Sequence, residues 1–304
     1  MRDFQPGDGM MRVFVTGGTG YVGAVVVEAL RAAGHEVAGL ARSEEAARRL
    51  EAAGCTALRG SLADADVLAR GAREADATIH AGATGAADQA EVDTAAVHAL
   101  LEALEGSGKP FIYTSGVWVL GATGDRVADE DAPVNAAAIV AWRPAVERTV
   151  LDAAARGIRS VVIRPGVVYG RGGGTPGGFV ASGRKKGVVR YVGDGSQRWP
   201  FVHVDDLAEL YLLALAGPAG TVLNAAGPSL PAREVAEAAA RAAGARAEAW
   251  PLEEARARLG VYADALALDQ QVSAERARAL GWRPSRPSVL DELRSGSYTS
   301  SDTA

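Results

Sequence analysis

Gly17, Gly20 and Gly23 are spaced G-x-x-G-x-x-G in the stretch VFVTGGTGYVG, residues 13–23. Glycine at these positions permits a tight turn and lets backbone N–H groups approach a pyrophosphate. A helical pattern starting just after it adds uncapped donors and the positive end of a dipole. Gly17, Thr19, Gly20, Tyr21, Val22 and Gly23 are therefore expected to cradle a dinucleotide. Arg42 stands nineteen positions beyond Gly23, and Ser43 follows it. A fold selecting NAD places Asp or Glu at the end of its second strand, a place that falls near Ala41 here. Arg42 can instead pair with a 2′-phosphate through a bidentate fork and Ser43 can add a donor, so NADP is expected over NAD. The alternative is that Arg42 is a solvated strand-end residue and Ser43 only the N-cap of SEEAARRL; Ser43 can do both.

Other side chains invite chemistry with less support from spacing. Ser115 lies at the carboxyl end of an apolar run, where ligands bind in open α/β sheets, and is read as a cofactor or substrate contact with a tentative catalytic role. Tyr169 either presents a phenol to a cleft or packs by its ring. His203 has a side chain that titrates near neutrality, against a structural role in the fold. Trp118 and Trp142 either wall an apolar substrate pocket or pack as core or lid. GRKKG, residues 183–187, reads as a solvated basic turn, with attraction of an anionic substrate as the alternative. The four histidines are scattered at no ligand spacing and Cys55 is the single cysteine, so no metal site and no intrachain disulfide are expected.

The elements that must position these residues follow from an alternation of short apolar runs with helical patterns. RVFVT precedes YVGAVVVEALRAAG, HEVAGLA precedes SEEAARRLEAAG, and DATIHAGA, PFIYTS and SVVIRP continue the series. Strands that are apolar on both faces, separated by helices, indicate a parallel sheet covered on both sides: a doubly wound, Rossmann-type α/β fold. Residues 11–170 are assigned to a dinucleotide-binding domain. From GRGGGTPGG onward, residues 171–294 are read as a smaller, partly interleaved substrate region with some segments returning to the first domain. Residues 1–10 are read as a loose extension without the pattern of a secretory signal, and the polar tail 295–304 as frayed.

Composition narrows the partners. Lys and Arg number 32 against 37 Asp and Glu, a net charge of −5 with the signs interspersed, which argues against a nucleic-acid surface. No apolar run reaches the roughly 18–20 residues of a membrane span. A small-molecule substrate and a reducing cytoplasm are expected.

These residues resemble the extended branch of the short-chain dehydrogenase/reductase superfamily, its epimerase/dehydratase-like group, over nearly the whole chain from Met11. GSLAD at 60–64 is similar to the adenine-side segment of that family, implying Ser61 and Leu62 as contacts, and IHAGA at 79–83 to its fourth-strand cofactor contact, implying Ala81, Gly82 and Ala83. IRPGVVYG at 163–170 resembles the strand end beside the nicotinamide amide, implying Pro165, Gly166, Val167 and Val168. FVHVDDLAE resembles a segment entering a late helix, RARALGWRPS a terminal motif, and GDGSQRWPFVH a loop closing over substrate, which implies Arg198 and Trp199 as substrate contacts beside Trp118 and Tyr169. The resemblance also implies a homodimer.

The chemistry of that family uses a Ser or Thr, and a Tyr four residues before a Lys. Matching YTSGVWVLG to its fifth strand puts Gly116 at the hydroxyl's place with Ser115 as neighbour. Counting back from Glu147 puts Arg143 at the lysine and Ile139 at the tyrosine. Isoleucine has no proton to give; Arg143 can hold a ribose or phosphate but is a poor proton shuttle. Pro144 is best placed as the first residue of a helix, so 136–143 is expected as loop. The expectation is an atypical NADP(H)-dependent oxidoreductase moving hydride to or from a small apolar or ring-containing metabolite. The alternatives are a redox-neutral epimerase, isomerase or dehydratase, or a nonenzymatic NADP-binding sensor.

Overall fold

The computed structural model describes residues 9–299. The first part of the chain runs β1 (Arg12–Thr16), α1 (Tyr21–Ala32), β2 (Glu36–Ala41), α2 (Glu44–Ala52), β3 (Thr56–Arg59), α3 (Ala65–Glu74), β4 (Ala77–His80), α4 (Gln89–Leu104) and β5 (Pro110–Thr114). Val13–Val15, Ile79, Phe111 and Ile112 are fully buried, so these strands carry core on both faces and read as continuous apolar runs. Helices α1 and α4 turn Val26, Leu30, Val97, Leu100 and Leu101 inward.

After β5 come β6 (Val127–Ala128), α5 (Arg143–Asp152), β7 (Arg159–Pro165), β8 (Val167–Gly170), α6 (Gly174–Lys186), β9 (Val188–Val192), β10 (Arg198–His203), α7 (Val204–Ala214) and β11 (Thr221–Ala225). The chain continues through β12 (Ser229–Pro231), α8 (Ala232–Ala243), β13 (Arg246–Trp250), α9 (Leu252–Leu259), α10 (Val261–Leu266), β14 (Gln271–Val272), α11 (Glu275–Ala279) and α12 (Val289–Ser295). The main sheet has the order β11-β7-β5-β4-β1-β2-β3, and its pairings from β3 across to β7 are parallel. That is the expected doubly wound fold, with the order reversing at β1.

Two compact units divide the chain differently from the expected break at residue 170. The first takes the described residues up to Thr114 with Ala145–Ile163 and Ala208–Val222. The second takes Ser115–Pro144, Arg164–Leu207 and the described residues from Leu223 on. Ser115–Pro144, assigned from sequence to the dinucleotide domain, thus belongs to the second unit.

Two local expectations are also corrected. GRGGGTPGG and GRKKG are largely helix rather than loop and solvated turn: α6 starts at Gly174, buries Pro176, Val180 and Gly183, and ends where Gly187 takes φ +68°. Proline is tolerated in a first helical turn, and Arg184, Lys185 and Lys186 suit the negative end of the dipole. The tail reading fails for 295–299, because Tyr298 is only 1% exposed and its hydroxyl accepts from Gly170 N at 2.6 Å and donates to Gly173 O at 2.8 Å. Residues 1–8 and 300–304 lie outside the described residues.

Candidate functional site

The glycine loop closes on itself. Gly20 N donates to Gly17 O at 2.9 Å, Gly17 has φ +74°, and a Cβ there would lie 2.6 Å from Ala81 O. A Cβ on Gly23 would meet Gly17 O at 2.1 Å, so the first turn of α1 can pack under the loop only as glycine. Helix α1 has Gly20 as N-cap, no side-chain cap and no acidic residue in its first turn. Its leading N–H groups and dipole are therefore available to an anion, and the residues fit a dinucleotide phosphate.

Above this loop the first unit holds a cavity of about 620 Å³. Gly17, Thr19, Gly20, Tyr21, Val22 and Gly23 form one wall. Ser61, Leu62, Ala81, Gly82 and Ala83 form others, with Arg42 at the end of β2. Sequence reasoning missed Arg49, which joins Arg42 in the lining and sets two guanidiniums against one carboxylate, Asp88. It missed Leu40, Ala63, Thr84 and Val92 as well. Ser43 is outside that lining; its Oγ accepts from Ala46 N at 3.1 Å as the N-cap of α2.

A buried polar chain fixes the Ala81–Thr84 wall. Gly82 N donates to Thr16 Oγ1 at 3.2 Å, Thr16 Oγ1 lies 2.8 Å from His80 Nδ1, His80 Nε2 lies 3.0 Å from Asp93 Oδ1, and Tyr113 donates to Asp93 Oδ2 at 2.8 Å. With Asp93 accepting at Nε2–H, Nδ1 is left to accept the threonine proton, and every donor in the chain has an acceptor.

In the second unit, the residues that follow β5 meet Arg143. Gly116 lies beside the guanidinium: a Cβ added there would stand in ordinary contact, 3.4 Å from Arg143 Nη1 and 3.8 Å from Pro165 O. Arg143 also sits over the Trp142 ring at 5.3 Å. Ser115 is 5% exposed, and neither its Oγ nor Arg143 Nε has a hydrogen-bond partner among the described residues. A buried donor without a partner costs about 1–3 kcal/mol, a cost that a bound polar atom would offset. Helix α5 starts at Arg143, one residue earlier than expected, with Pro144 in its first turn; Ile139 lies in a 3-10 turn, Ala138–Val140. Gly166 N donates to Ala225 O at 2.9 Å, and Val167 and Val168 pair with Phe201 and Val202 in a β8–β10 ladder.

Tyr169, Arg198, His203, Trp199 and Trp118 all have partners within the second unit. Tyr169 is 6% exposed, donates to Pro287 O at 2.8 Å and packs edge-on to Phe201 and His203, while burial pushes its phenol far above the usual range. Of the two roles open to it from sequence, this environment favours packing by the ring. Arg198 is tied to Asp269 through bonds of 2.9 and 2.6 Å and also reaches Gly124 O. Asp269 is held below the usual carboxylate range by that guanidinium. His203 is buried, which lowers its pKa; its Nδ1 accepts from Asp205 N, and a Cβ on Gly170 would sit 2.3 Å from its Nε2. Trp199 is buried and donates to Leu266 O at 3.2 Å, and Trp118 packs edge-on to Tyr262. Among the described residues no group of His, Cys, Asp and Glu could hold a metal ion, and no helix is long and apolar enough to cross a membrane.

Residues 13–226 match the family model described as NAD dependent epimerase/dehydratase family. An uncharacterized protein of Saccharomyces cerevisiae is 33% identical over 93% of this chain and 98% of its own length. The 2-alkyl-3-oxoalkanoate reductase of Stenotrophomonas maltophilia is 31% identical over 77% of this chain and 76% of its own. Among solved structures, a UDP-glucose 4-epimerase of Thermus thermophilus in complex with NAD superposes with a TM-score of 0.76 at 27% identity, covering 94% of this chain and 99% of that one.

Proposed function

Since the chain belongs to the NAD dependent epimerase/dehydratase family, we propose that it is an NADP(H)-dependent oxidoreductase. The observation that carries this reading is the pair of guanidiniums, Arg42 and Arg49, in the wall of a cavity floored by the glycine loop. An arginine fork matches a phosphate in geometry and charge, whereas the ribose hydroxyls of NAD call for a carboxylate at the end of β2. The loop amides and the uncapped turn of α1 would hold the pyrophosphate, and Ser61, Leu62 and Ala81–Ala83 would flank the adenine side. Pro165, Gly166, Val167 and Val168 are assigned to the nicotinamide end.

When bound, the reduced cofactor supplies a hydride. The chain's own contribution is to orient and to donate. Ser115 Oγ–H and Arg143 Nε–H are the unpartnered donors assigned to the polar atoms of the bound molecules, and their cost in the free protein is regained on binding. A guanidinium is a poor proton shuttle, so Arg143 is assigned to fixing a ribose or an oxygen without relaying a proton. On the reading that Ile139 replaces the family's tyrosine, the proton is drawn from water or through Ser115. That suits small, apolar or ring-containing acceptors activated without a strong protein acid, such as enones, imines and activated ketones. A relative that bears a reductase name supports a redox reaction, and a structural neighbour that bears an epimerase name keeps the redox-neutral alternative open.

The test is NADPH oxidation followed at the reduced-nicotinamide absorbance band against a panel of enones, imines and ketones. Substrate-dependent oxidation with NADPH preferred over NADH is expected. Tight NADPH binding without turnover on any class would overturn the enzyme reading in favour of a sensor.

A further inference from the structure

A second cavity, of about 460 Å³, lies wholly within the second unit, among α6, β9, α9 and α10. Its walls are aromatic: Phe179, Tyr191, Trp199, Trp250 and Tyr262 all face it. Phe179 and Trp199 are tilted neighbours with centroids 6.1 Å apart, and the Trp199 N–H is satisfied by the carbonyl of Leu266, another lining residue, at 3.2 Å. Tyr262 ties this cavity to the residues after β5, because its ring meets Trp118 edge-on at 5.9 Å, three positions beyond Ser115.

Aromatic walls of this kind admit two charge classes of ligand. A cage for a cationic ammonium keeps carboxylates close and cations away. Here no Asp or Glu lines the space, and the charged lining residues are Lys186 and Arg190. Arg190 lies over the Trp250 ring at 5.6 Å and is paired with Glu248 at 3.4 Å, so its charge is already answered. Lys186, at the end of α6, has no ion pair among the described residues. The volume falls within the range of about 300–1,000 Å³ usual for small-molecule sites.

The geometry points to a binding site for a planar aromatic ring that carries an anionic group, with the ring among Trp199, Trp250 and Tyr262 and the anion at Lys186. As a substrate site this rests on the oxidoreductase reading, and it narrows the acceptor to an aromatic or conjugated acid. As a binding site it does not depend on that reading.

Calorimetric titration of the full chain, without nucleotide, with 2-naphthoate, the neutral 2-naphthalenemethanol and (2-naphthylmethyl)trimethylammonium tests it. Naphthoate is expected to bind saturably and most tightly. Lys186→Gln should weaken naphthoate about fivefold, the size of an exposed ion pair's contribution, and leave the alcohol unchanged. Trp250→Ala should weaken both, with circular dichroism establishing that each variant is folded. Absence of saturable binding by naphthoate, preference for the ammonium, or indifference to Lys186→Gln would overturn the assignment. NADPH is titrated separately on the same samples: loss of NADPH binding with naphthoate retained defeats the oxidoreductase reading alone, and the converse defeats this site alone.

Discussion

Replacing Ser115 by alanine is expected to make the protein more stable and less active. A hydroxyl buried without a partner costs about 1–3 kcal/mol in the folded state, and Ser115 Oγ is such a group at 5% residue exposure. Deleting one oxygen leaves a small void whose cost is on the order of 0.5 kcal/mol. The balance is a gain of about 0.5–2.5 kcal/mol, or a Tm higher by about 1–4 °C in a chain of this size. The same oxygen is the donor assigned to a reacting or bound polar atom, so NADPH-linked turnover should fall by about 10- to 100-fold. Scanning calorimetry without nucleotide measures the first effect and steady-state kinetics the second. A Tm lowered by several degrees would mean that Ser115 has a structural partner, and unchanged turnover would mean that it has no part in the reaction; either result refutes the reasoning.

Gly23→Ala is expected to abolish nucleotide binding, because its Cβ would lie 2.1 Å from Gly17 O; nucleotide titration of a variant shown to be folded by circular dichroism checks this. Arg42→Ala and Arg49→Ala should each weaken NADPH by about 5- to 30-fold, the worth of an exposed charge-assisted contact, and leave NADH unchanged; equal weakening of both nucleotides would remove the arginines from the 2′-phosphate. Tyr298→Phe removes the hydroxyl that bonds Gly170 N and Gly173 O and should cost about 1–3 kcal/mol, read from denaturant midpoints.

The doubly wound sheet was legible because its strands are apolar on both faces and its helices amphipathic, patterns that depend on local residue order. The cradle was legible for a related reason: Gly17, Gly20 and Gly23 are constrained by local geometry, and loops ending neighbouring strands converge in any sheet of this kind. Arg49 was not legible, since α2 also carries Arg48 and only the packing of Ala47 and Leu50 decides which arginine reaches the cavity. The hydrogen-bond partners of Tyr169 and Arg198 were not legible because Pro287 and Asp269 are 118 and 71 residues away in sequence. The same holds for Tyr298, whose tail is polar in composition yet buries one large ring against α6. Helix α6 was hidden by its glycines, which are poor helix formers individually but let the helix approach α8 where Gly183 faces Ala243.

The central claim is a first-unit cavity made for a phosphorylated dinucleotide, and isothermal titration of the wild-type chain with NADPH and NADH under identical salt tests it most directly. The account predicts saturable 1:1 binding of NADPH, at least tenfold tighter than NADH. Equal affinity for the two, tighter binding of NADH, or heat from neither would contradict it.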